Sequence, residues 1–203
     1  HRTLVNAPSN NADSRTETGL ALPTGLAVDR DGNLYVADRG NSRVLRFPSP
    51  FAQQIAPGER HRANLVLGQP NFNQRITDPS SRNLAAPYGI ALTVDEHLLV
   101  SDPGHHRVLF FRRGANGDFA NGQAAERVIG QPDFFTVGPG GGQNRLNSPR
   151  HLSLDTDDRL YLADASNNRV LVYDRITVAA NDPTPAFFLT AGLSGPQAVF
   201  VSP

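Results

Sequence analysis

The feature that most restricts the fold of this chain is a pattern that occurs three times. The copies are residues 25–47, 89–111 and 151–173, which begin GLAVDRDGNLYVAD, GIALTVDEHLLVSD and HLSLDTDDRLYLAD. From the first residue to the last aspartate of this run is 13 residues in every copy: 25 to 38, 89 to 102 and 151 to 164. A unit repeated along a chain stacks on its own copies, so the sequence predicts a repeat architecture.

Each copy contains short apolar segments that read as β-strands. In the first copy they are residues 26–28, 34–37 and 44–47, and they are rich in Val, Leu, Tyr and Phe. They are too short for helices, and turns such as Arg30–Asn33 separate them. A fourth apolar segment follows each copy, at 64–72, 127–134 and 186–189, and the first two contain Gly-Gln-Pro. Four consecutive strands per unit are typical of a β-propeller blade.

We therefore predict an all-β fold, a β-propeller of four-stranded antiparallel blades with about three blades present. The predicted limits are 1–22 for the last strand of a preceding blade and a connector, 23–86, 87–148 and 149–195 for three blades, and 196–203 for the first strand of a following blade. Open ends would leave strand edges unpaired. We expect the chain to be a piece of a longer propeller, or to need a second copy, so that the ring can close.

Composition excludes several classes of function. Lys and Arg number 19 and so do Asp and Glu, so no overall field favours nucleic acid or an anionic membrane. Cysteine is absent, which excludes disulfides, thiol nucleophiles and thiolate metal sites. No apolar segment approaches the roughly 20 residues of a membrane span, so we expect no membrane insertion. The N-terminal segment lacks the regions of a signal peptide, as a processed chain also would.

An aspartate and an arginine recur at the same place in every copy. The aspartate ends the predicted second strand, and the arginine begins the third, five residues later. The pairs are Asp38 and Arg43, Asp102 and Arg107, and Asp164 and Arg169. A carboxylate can accept hydrogen bonds from turn amides, and an arginine can bind it with two parallel bonds. Because a catalytic group rarely needs three copies, we interpret the pairs as a structural clamp, within a turn or between blades.

Three histidines are the candidates for a metal ligand or a general base. His105 and His106 are adjacent in a turn of the second copy, and His151 begins the third copy, on a strand predicted to line the central channel. Adjacent residues on an extended chain point in opposite directions, and metal sites need three or four converging ligands. We therefore predict no metal site and keep the three histidines as candidate binding residues.

Aromatic and basic residues beside the repeats are candidates for contact with a partner. Phe135 lies beyond the fourth strand of the second copy and is expected to be exposed. Arg112 and Arg113 follow Phe111 and form the best candidate for a basic and aromatic patch. Further candidate contacts are the inserted segments around Phe51, Phe72, Phe119 and Phe135.

The repeated units resemble the NHL repeat. The residues that carry the resemblance are Pro-x-Gly at 23–25 and 87–89, Asp-Gly-Asn-Leu-Tyr-Val-Ala-Asp at 31–38, and Asn-x-Arg-Val at 41–44 and 167–170. The second copy departs from the pattern, with His105 at the asparagine position. The third has Arg150 and His151 where the first has Thr24 and Gly25.

The resemblance implies a propeller that is usually six-bladed, in a family whose members bind protein or RNA or act as lyases. Some NHL-like lyases hold metals with His and Asp in the channel, with Tyr and Arg nearby. Only His151 and Tyr88 match that arrangement loosely. The Gly-Gln-Pro-x-Phe variant is similar to that of large bacterial extracellular or cell-surface NHL proteins, which implies an extracellular or periplasmic location.

We predict a scaffold whose loop face binds a protein, a peptide or a glycan. The alternatives are a channel-metal lyase or hydrolase and an RNA-binding propeller. No Gly-x-Ser-x-Gly, phosphate loop or dinucleotide fingerprint occurs, so we predict no cofactor and name no catalytic residue.

Overall fold

Residues 15–201 are the part of the chain that the structure, a computed structural model, describes. They form three four-stranded sheets, and the all-β prediction is confirmed. The first sheet contains β1 (Pro23–Val28), β2 (Leu34–Asp38), β3 (Arg43–Phe47) and β4 (Leu65–Leu67). The second contains β5 (Ile90–Leu92), β6 (Leu98–Asp102), β7 (Arg107–Phe111) and β8 (Arg127–Ile129). The third contains β9 (Pro149–Leu154), β10 (Leu160–Asp164), β11 (Arg169–Tyr173) and β12 (Phe187–Leu189).

Each sheet is an antiparallel meander in which the strands lie side by side in chain order. The second and third strands pair in one register in all three sheets, ending on Asp38 opposite Arg43, on Asp102 opposite Arg107, and on Asp164 opposite Arg169. A single 3₁₀ turn joins these two strands, at Arg39–Asn41, Pro103–His105 and Ala165–Asn167. The shared register explains why the sequence repeats at constant spacing, because a one-residue slip would move every apolar side chain of a strand to the opposite face of the sheet.

The hydrophobic core lies between the sheets. Side chains alternate across each strand, so the second sheet presents one apolar face to the first sheet and the other to the third. Tyr35 and Leu67 of the first sheet pack with Val100 and Phe111 of the second. Phe110 of the second sheet packs on its other side with residues of the third. The three sheets are therefore successive blades that bury their apolar residues against one another.

Two faces contain the connections. The clamp face comprises the three 3₁₀ turns and the two links that lead to the next blade, residues 68–86 (first link) and 130–148 (second link). The insert face, at the opposite ends of the strands, comprises the hairpin turns after the first strands and the inserts 48–64, 112–126 and 174–186. Each link opens with a glycine at positive φ, Gly68 at 82° and Gly130 at 86°, where a Cβ would come within 2.4 Å of Leu84 and 2.3 Å of Leu146. Only glycine fits these two positions without displacing a core leucine.

An insert closes the outer edge of the preceding blade. The Val66 amide of β4 donates to Asn121 Oδ1 at 2.8 Å, and the Gly122 amide donates to the Val66 carbonyl at 3.0 Å. At β8, the Val128 amide and carbonyl bind Asn181 Oδ1 and the Asp182 amide in the same way. These two clips satisfy strand edges that would otherwise be open.

The ends of the chain differ from the middle. The predicted strand at 2–5 lies outside the described residues. Residues 196–201 are not assigned as a strand, although the Val201 amide donates to Ser153 Oγ of β9 at 3.4 Å. The predicted blade limits therefore remain predictions. Of the three outer strands, only β12 is exposed, with Phe187 and Phe188 both at 51%.

Candidate functional site

The clamp of the first blade is a buried carboxylate surrounded by donors. Arg43 Nε donates to Asp38 Oδ2 at 2.7 Å, and Asn41 Nδ2 donates to the same oxygen at 2.8 Å. The second oxygen of Asp38 accepts from the Ala21 amide at 2.6 Å, on the segment that leads into β1. Asp38 and Arg43 are both fully buried. The ion pair therefore lies within one blade and fastens its leading segment to the turn.

The third blade repeats this arrangement and the second modifies it. Asp164 binds Arg169 Nε and Asn167 Nδ2, each at 2.7 Å. In the second blade, His105 takes the asparagine position, and its Nδ1 lies 2.8 Å from Asp102 Oδ2. Arg107 Nε is then more distant, at 3.4 Å from the same oxygen. The imidazole thus replaces the amide and weakens the contact of the arginine with the carboxylate.

The remaining nitrogens of each clamp arginine bind main-chain carbonyls of the clamp face. The acceptors are Gly19 and Phe72 for Arg43, Asn83 and Phe134 for Arg107, and Gly141 and Arg145 for Arg169. An arginine carries five N–H donors in a rigid plane, so one side chain can hold several loop segments at once. The clamps therefore make the links of this face parts of a fixed framework.

The pKa of the clamp aspartate is shifted in opposite directions in the first two blades. Burial raises the pKa of Asp38 and outweighs the opposing effect of Arg43. Burial acts in the same direction on Asp102, but the hydrogen bond from His105 and the charge of Arg107 outweigh it, so the pKa of Asp102 is lowered. Burial lowers the pKa of both Arg43 and Arg107. The second clamp is thus the one in which the ionised carboxylate is better stabilised.

Two glutamines of the Gly-Gln-Pro segments are structural residues to which the sequence analysis assigned no role. Gln69 is fully buried. Its Oε1 accepts from the Ile76 amide at 2.7 Å, and its Nε2 donates to the Ile76 carbonyl at 2.9 Å and also to the Ser42 carbonyl. Gln131 holds the second link through the Gly138 carbonyl. The recurrence of Gln at one position in two copies was the available signal.

The histidine pair is engaged in the clamp face. His105 is 6% exposed, and its Nε2 lies 2.8 Å from the Thr77 carbonyl of the first link. His106 adopts a left-handed conformation with φ of 52°, and its Nδ1 accepts from the Ser148 amide at 3.0 Å. Asn168 in the third blade makes the corresponding bond to the Gly195 amide at 2.7 Å. Both imidazoles thus connect the turn to links, and His105 offers little surface to a partner.

The two candidate arginines are paired with carboxylates. Arg112, 43% exposed, binds both oxygens of Glu126. Arg113 is largely buried and pairs with Glu96 at 2.9 Å and with Asp29 at 3.3 Å. These carboxylates neutralise most of the positive charge of the predicted basic patch, and a nucleic acid would have to displace them.

The candidate phenylalanines divide by exposure. Phe135 is 71% exposed on the clamp face, and Phe51 is 95% exposed on the insert face. Phe119 is 6% exposed and meets the Tyr35 ring edge-on at 6.2 Å, so its ring belongs to the core between blades, while the insert around it stays a predicted contact. Phe72 packs against the apolar cluster at the outer face of the first blade.

His151 lies on β9, and its Nδ1 is a buried atom without a hydrogen-bond partner. Its neighbour Arg150 lies over the Tyr88 ring at 5.0 Å. Within residues 15–201, no three His, Asp or Glu side chains are grouped so that they could hold a metal ion. No helix in the same range has the length and apolar character to cross a membrane.

The stacked four-stranded meanders and their repeated clamp place the chain in the β-propeller class. Residues 20–47 match the family model of the NHL repeat. The chain therefore contains an NHL repeat, and the resemblance inferred from its sequence is confirmed. No curated protein matches the sequence.

Several solved structures are similar in fold. Hydrazine synthase from Kuenenia stuttgartiensis is 14% identical over 90% of this chain and 39% of its own, with a TM-score of 0.54. Virginiamycin B lyase from Staphylococcus aureus is 14% identical over 93% of this chain and 46% of its own, with a TM-score of 0.52. A protein from Lactobacillus plantarum is 18% identical over 83% and 42%, with a TM-score of 0.51. The chain spans less than half of each, and identities this low show the fold alone.

Proposed function

We propose that this propeller is a scaffold that binds a protein or peptide through its clamp face, with Phe135 as the central apolar contact. The observation that carries the proposal is an aromatic ring that is 71% exposed on a segment with fixed main chain. Aromatic residues, Phe among them, are enriched at the core of protein interfaces, where a few anchor residues carry most of the binding energy.

The main chain around Phe135 is held on both sides. The Phe135 and Thr136 amides donate to Asp133 Oδ1 at 2.8 and 2.7 Å, which closes a turn. These amide bonds lower the pKa of Asp133, so its carboxylate stays ionised and the turn persists in mildly acidic solution. Arg107 binds the Phe134 carbonyl at 2.6 Å. A partner would therefore meet a ring whose main chain is already ordered, which lowers the entropy cost of binding.

The surroundings of Phe135 suit an extended partner. The second link continues through Pro139 and three consecutive glycines, Gly140–Gly142, which carry no side chain. Two buried side chains hold this link. Gln131 donates to the Gly138 carbonyl, and Arg169 of the third clamp donates to the Gly141 carbonyl. We infer that an apolar side chain of a peptide stacks on the ring while its main chain bonds to the exposed link.

Selection from a phage-displayed peptide library on the immobilised chain tests the proposal. Selected peptides should lose about tenfold or more in affinity for the Phe135→Ser variant, as expected when an aromatic contact worth more than about 1.4 kcal/mol is removed. Phe51→Ser, which removes a still more exposed ring (95%) from the insert face, is the matched control and should leave affinity unchanged.

Equal affinity for both variants would contradict the proposal. A glycan array with the same two variants separates the classes of partner, since loss of glycan binding on Phe135→Ser would assign the ring to a sugar. Peptides that depend on Phe51 would instead place recognition on the insert face.

A further inference from the structure

The hairpin turns between the first and second strands connect neighbouring blades through a carboxylate. Each turn contains one residue in the left-handed conformation, Glu96 with φ of 60° in the second blade and Asp158 with φ of 58° in the third. The Arg30 amide of the first blade donates to Glu96 Oε1 at 2.6 Å, and the Val94 amide of the second donates to Asp158 Oδ1 at 2.8 Å. The second and third blades therefore each supply an acidic side chain to the turn of the blade before.

The contact between turns accounts for an acidic residue at a position that otherwise favours glycine. The first blade has Gly32 there, with φ of 79°. Glycine adopts this conformation without steric cost, whereas a residue with a side chain rarely does. Glu96 also pairs with Arg113 at 2.9 Å, but within residues 15–201 the side chain of Asp158 bonds only to Val94. The first blade therefore lacks the side chain with which the other two bind the preceding blade.

The clips on the fourth strands form a second contact with the same direction. Asn121 of the second blade caps Val66, and Asn181 of the third caps Val128. Both asparagines lie six residues before the first residue of the fourth strand of their own blade. The corresponding residue of the first insert is Glu59, and among the residues that the structure describes it caps no strand edge. The first blade thus lacks both side chains.

The third blade has the matching main-chain groups on its far side, and they are open. Phe188 pairs with the middle residue of β11, as Val128 pairs with the middle residue of β7. Its amide and carbonyl therefore point away from its own sheet, as those of Val128 do. Thr156 takes the hairpin position of Val94. In the described part of the chain, no residue binds the Thr156 amide or the outward main-chain groups of Phe188.

Residues 195–201 lie where a following unit would begin. The Gly195 amide donates to Asn168 Oδ1 at 2.7 Å, and the Ser148 amide binds the corresponding side chain of the second turn at 3.0 Å where the second link enters the third blade. The Val201 amide then donates to Ser153 Oγ of β9 at 3.4 Å. First strands lie side by side in the other blades, where β1 contacts β5 and β5 contacts β9. Residues 196–201 take the next place in this series.

The composition of this region is that of a covered edge. Residues 183–203 contain no charged residue, and β12 contains neither a charge nor a proline. Open strand edges of soluble proteins are usually protected by such residues or covered by another segment. The three apolar residues of β12 are 51% to 55% exposed. Without a protecting residue of its own, this edge requires a partner.

We propose that the far side of the third blade is a docking surface for a further unit of the same repeat, entered through residues 196–201. An acidic residue at the left-handed position of its hairpin turn accepts from the Thr156 amide. An asparagine 23 to 25 residues later, the spacing in the third and second blades, caps Phe188. The partner is thereby defined by two side chains and the distance between them along the chain.

A second copy of the chain does not fit this surface. The acidic turn residues and the clip asparagines of its second and third blades are already bound within that copy. Its first blade has Gly32 and Glu59 at the two positions. The outward face of that blade is also closed, because Val36 and Phe47 are at most 1% exposed and pack with Leu20 of the leading segment.

Extending the chain tests the docking surface. Residues 196–203 align with 149–156, so a copy of residues 157–195 added after Pro203 completes a fourth unit. The added copy contains its own Asp158 and Asn181. Hydrogen exchange at the Thr156 and Phe188 amides should slow by about fivefold or more relative to the unextended chain, the effect of one net hydrogen bond on each.

The matched control is the same extension with Asp158→Gly and Asn181→Ala in the added copy. The Thr156 and Phe188 amides should then exchange as they do in the unextended chain. Equal protection by the two extensions would overturn the role of the acidic residue and the asparagine. An added unit whose own strand amides are protected while that of Phe188 is not would overturn the docking surface.

The unextended chain provides a measurement that does not need the added unit to fold. Asp158→Gly places in the turn a residue that fits the left-handed conformation, and it should accelerate exchange at the Val94 amide by about fivefold. Asp157→Asn, in the same turn, should leave that amide unchanged. An unchanged rate in Asp158→Gly would contradict the contact on which the proposal rests.

Sedimentation of the unextended chain checks the exclusion of a second copy. The chain should remain a monomer, and self-association that Phe188→Glu abolishes would assign the surface to a second copy. None of these readouts involves Phe135, so failure of the docking surface and failure of the partner binding proposed above are separate results.

Discussion

The outer strands β4 and β12 occupy the same place in their blades, yet one is buried and the other is exposed. Leu65, Val66 and Leu67 of β4 are all at most 2% exposed, whereas the residues of β12, Phe187–Leu189, are 51% to 55% exposed. Composition does not explain the contrast, because both strands are wholly apolar. The difference shows that burial of an outer strand is supplied by the next blade.

Two neighbours make β4 an interior strand. The face of the second blade covers Leu65 and Leu67, and the insert 112–126 clips the edge at Val66. The third blade covers β8 in the same way. Arg127 of β8 donates through Nη1 to the Ile176 and Ala179 carbonyls of the insert 174–186. No blade within residues 15–201 covers the corresponding face of β12.

The largest expected effect is a contrast between equivalent leucines. Leu67→Ala should destabilise the fold by about 2 to 5 kcal/mol, because Leu67 is fully buried between two blades. Leu189→Ala, at the same position of β12 and 55% exposed, should cost less than about 1 kcal/mol. Urea denaturation of both variants measures the difference. Equal losses would show that β12 is covered in solution and would remove the contrast.

How much of this could be predicted from the sequence depends on whether a feature lies inside one repeat or between two. The strands and the aspartate-arginine pairs lie inside one repeat, where fixed spacing and alternating apolar residues determine them. The exposure of Phe187 could not be predicted, because it depends on what packs against β12. The clips could not be predicted either, since Asn121 lies in a Gly-rich insert without periodicity.

The third side chain that binds each clamp aspartate could have been predicted from the sequence. Asn41, His105 and Asn167 align in the three copies, so a shared partner could have been inferred for all of them. Histidine chemistry taken alone indicates a metal ligand or a base, whereas the position of His105 in the repeat indicates a clamp residue. Whether it also contacts a partner stays a prediction, as it does for His151.

An intermediate effect should come from the clip that closes β4. Asn121→Ala leaves the buried Val66 amide without its acceptor, which should cost about 1 to 3 kcal/mol. Hydrogen exchange at the Val66 amide is the specific readout and should accelerate. Asn116→Ala is the control, since Asn116 lies in the same insert and accepts only from the nearby Asp118 amide at 3.2 Å among the bonds described. Unchanged protection at Val66 would mean that the clip does not hold the edge.

The smallest effect should come from the ion pair between the first two blades, Arg46 and Asp118. The hydrogen bond from Arg46 is the main cause that lowers the pKa of Asp118. The Asp118 side chain is 44% exposed, so Asp118→Asn should cost less than about 1 kcal/mol near neutral pH. A lowered carboxylate pKa stabilises the fold above the unfolded value of about 3.9 and ceases to do so as pH falls through the folded value.

The stability difference between the wild type and Asp118→Asn should therefore shrink between about pH 6 and about pH 3. A double-mutant cycle with Arg46→Gln isolates the pair, because Arg46 also binds Asn64 Oδ1 at 3.0 Å. A difference that persists at acid pH would assign the effect to packing of the insert and not to charge. The edge of β4 would then be held by the Asn121 clip and apolar contact alone, and the contrast with β12 would need no electrostatic contribution.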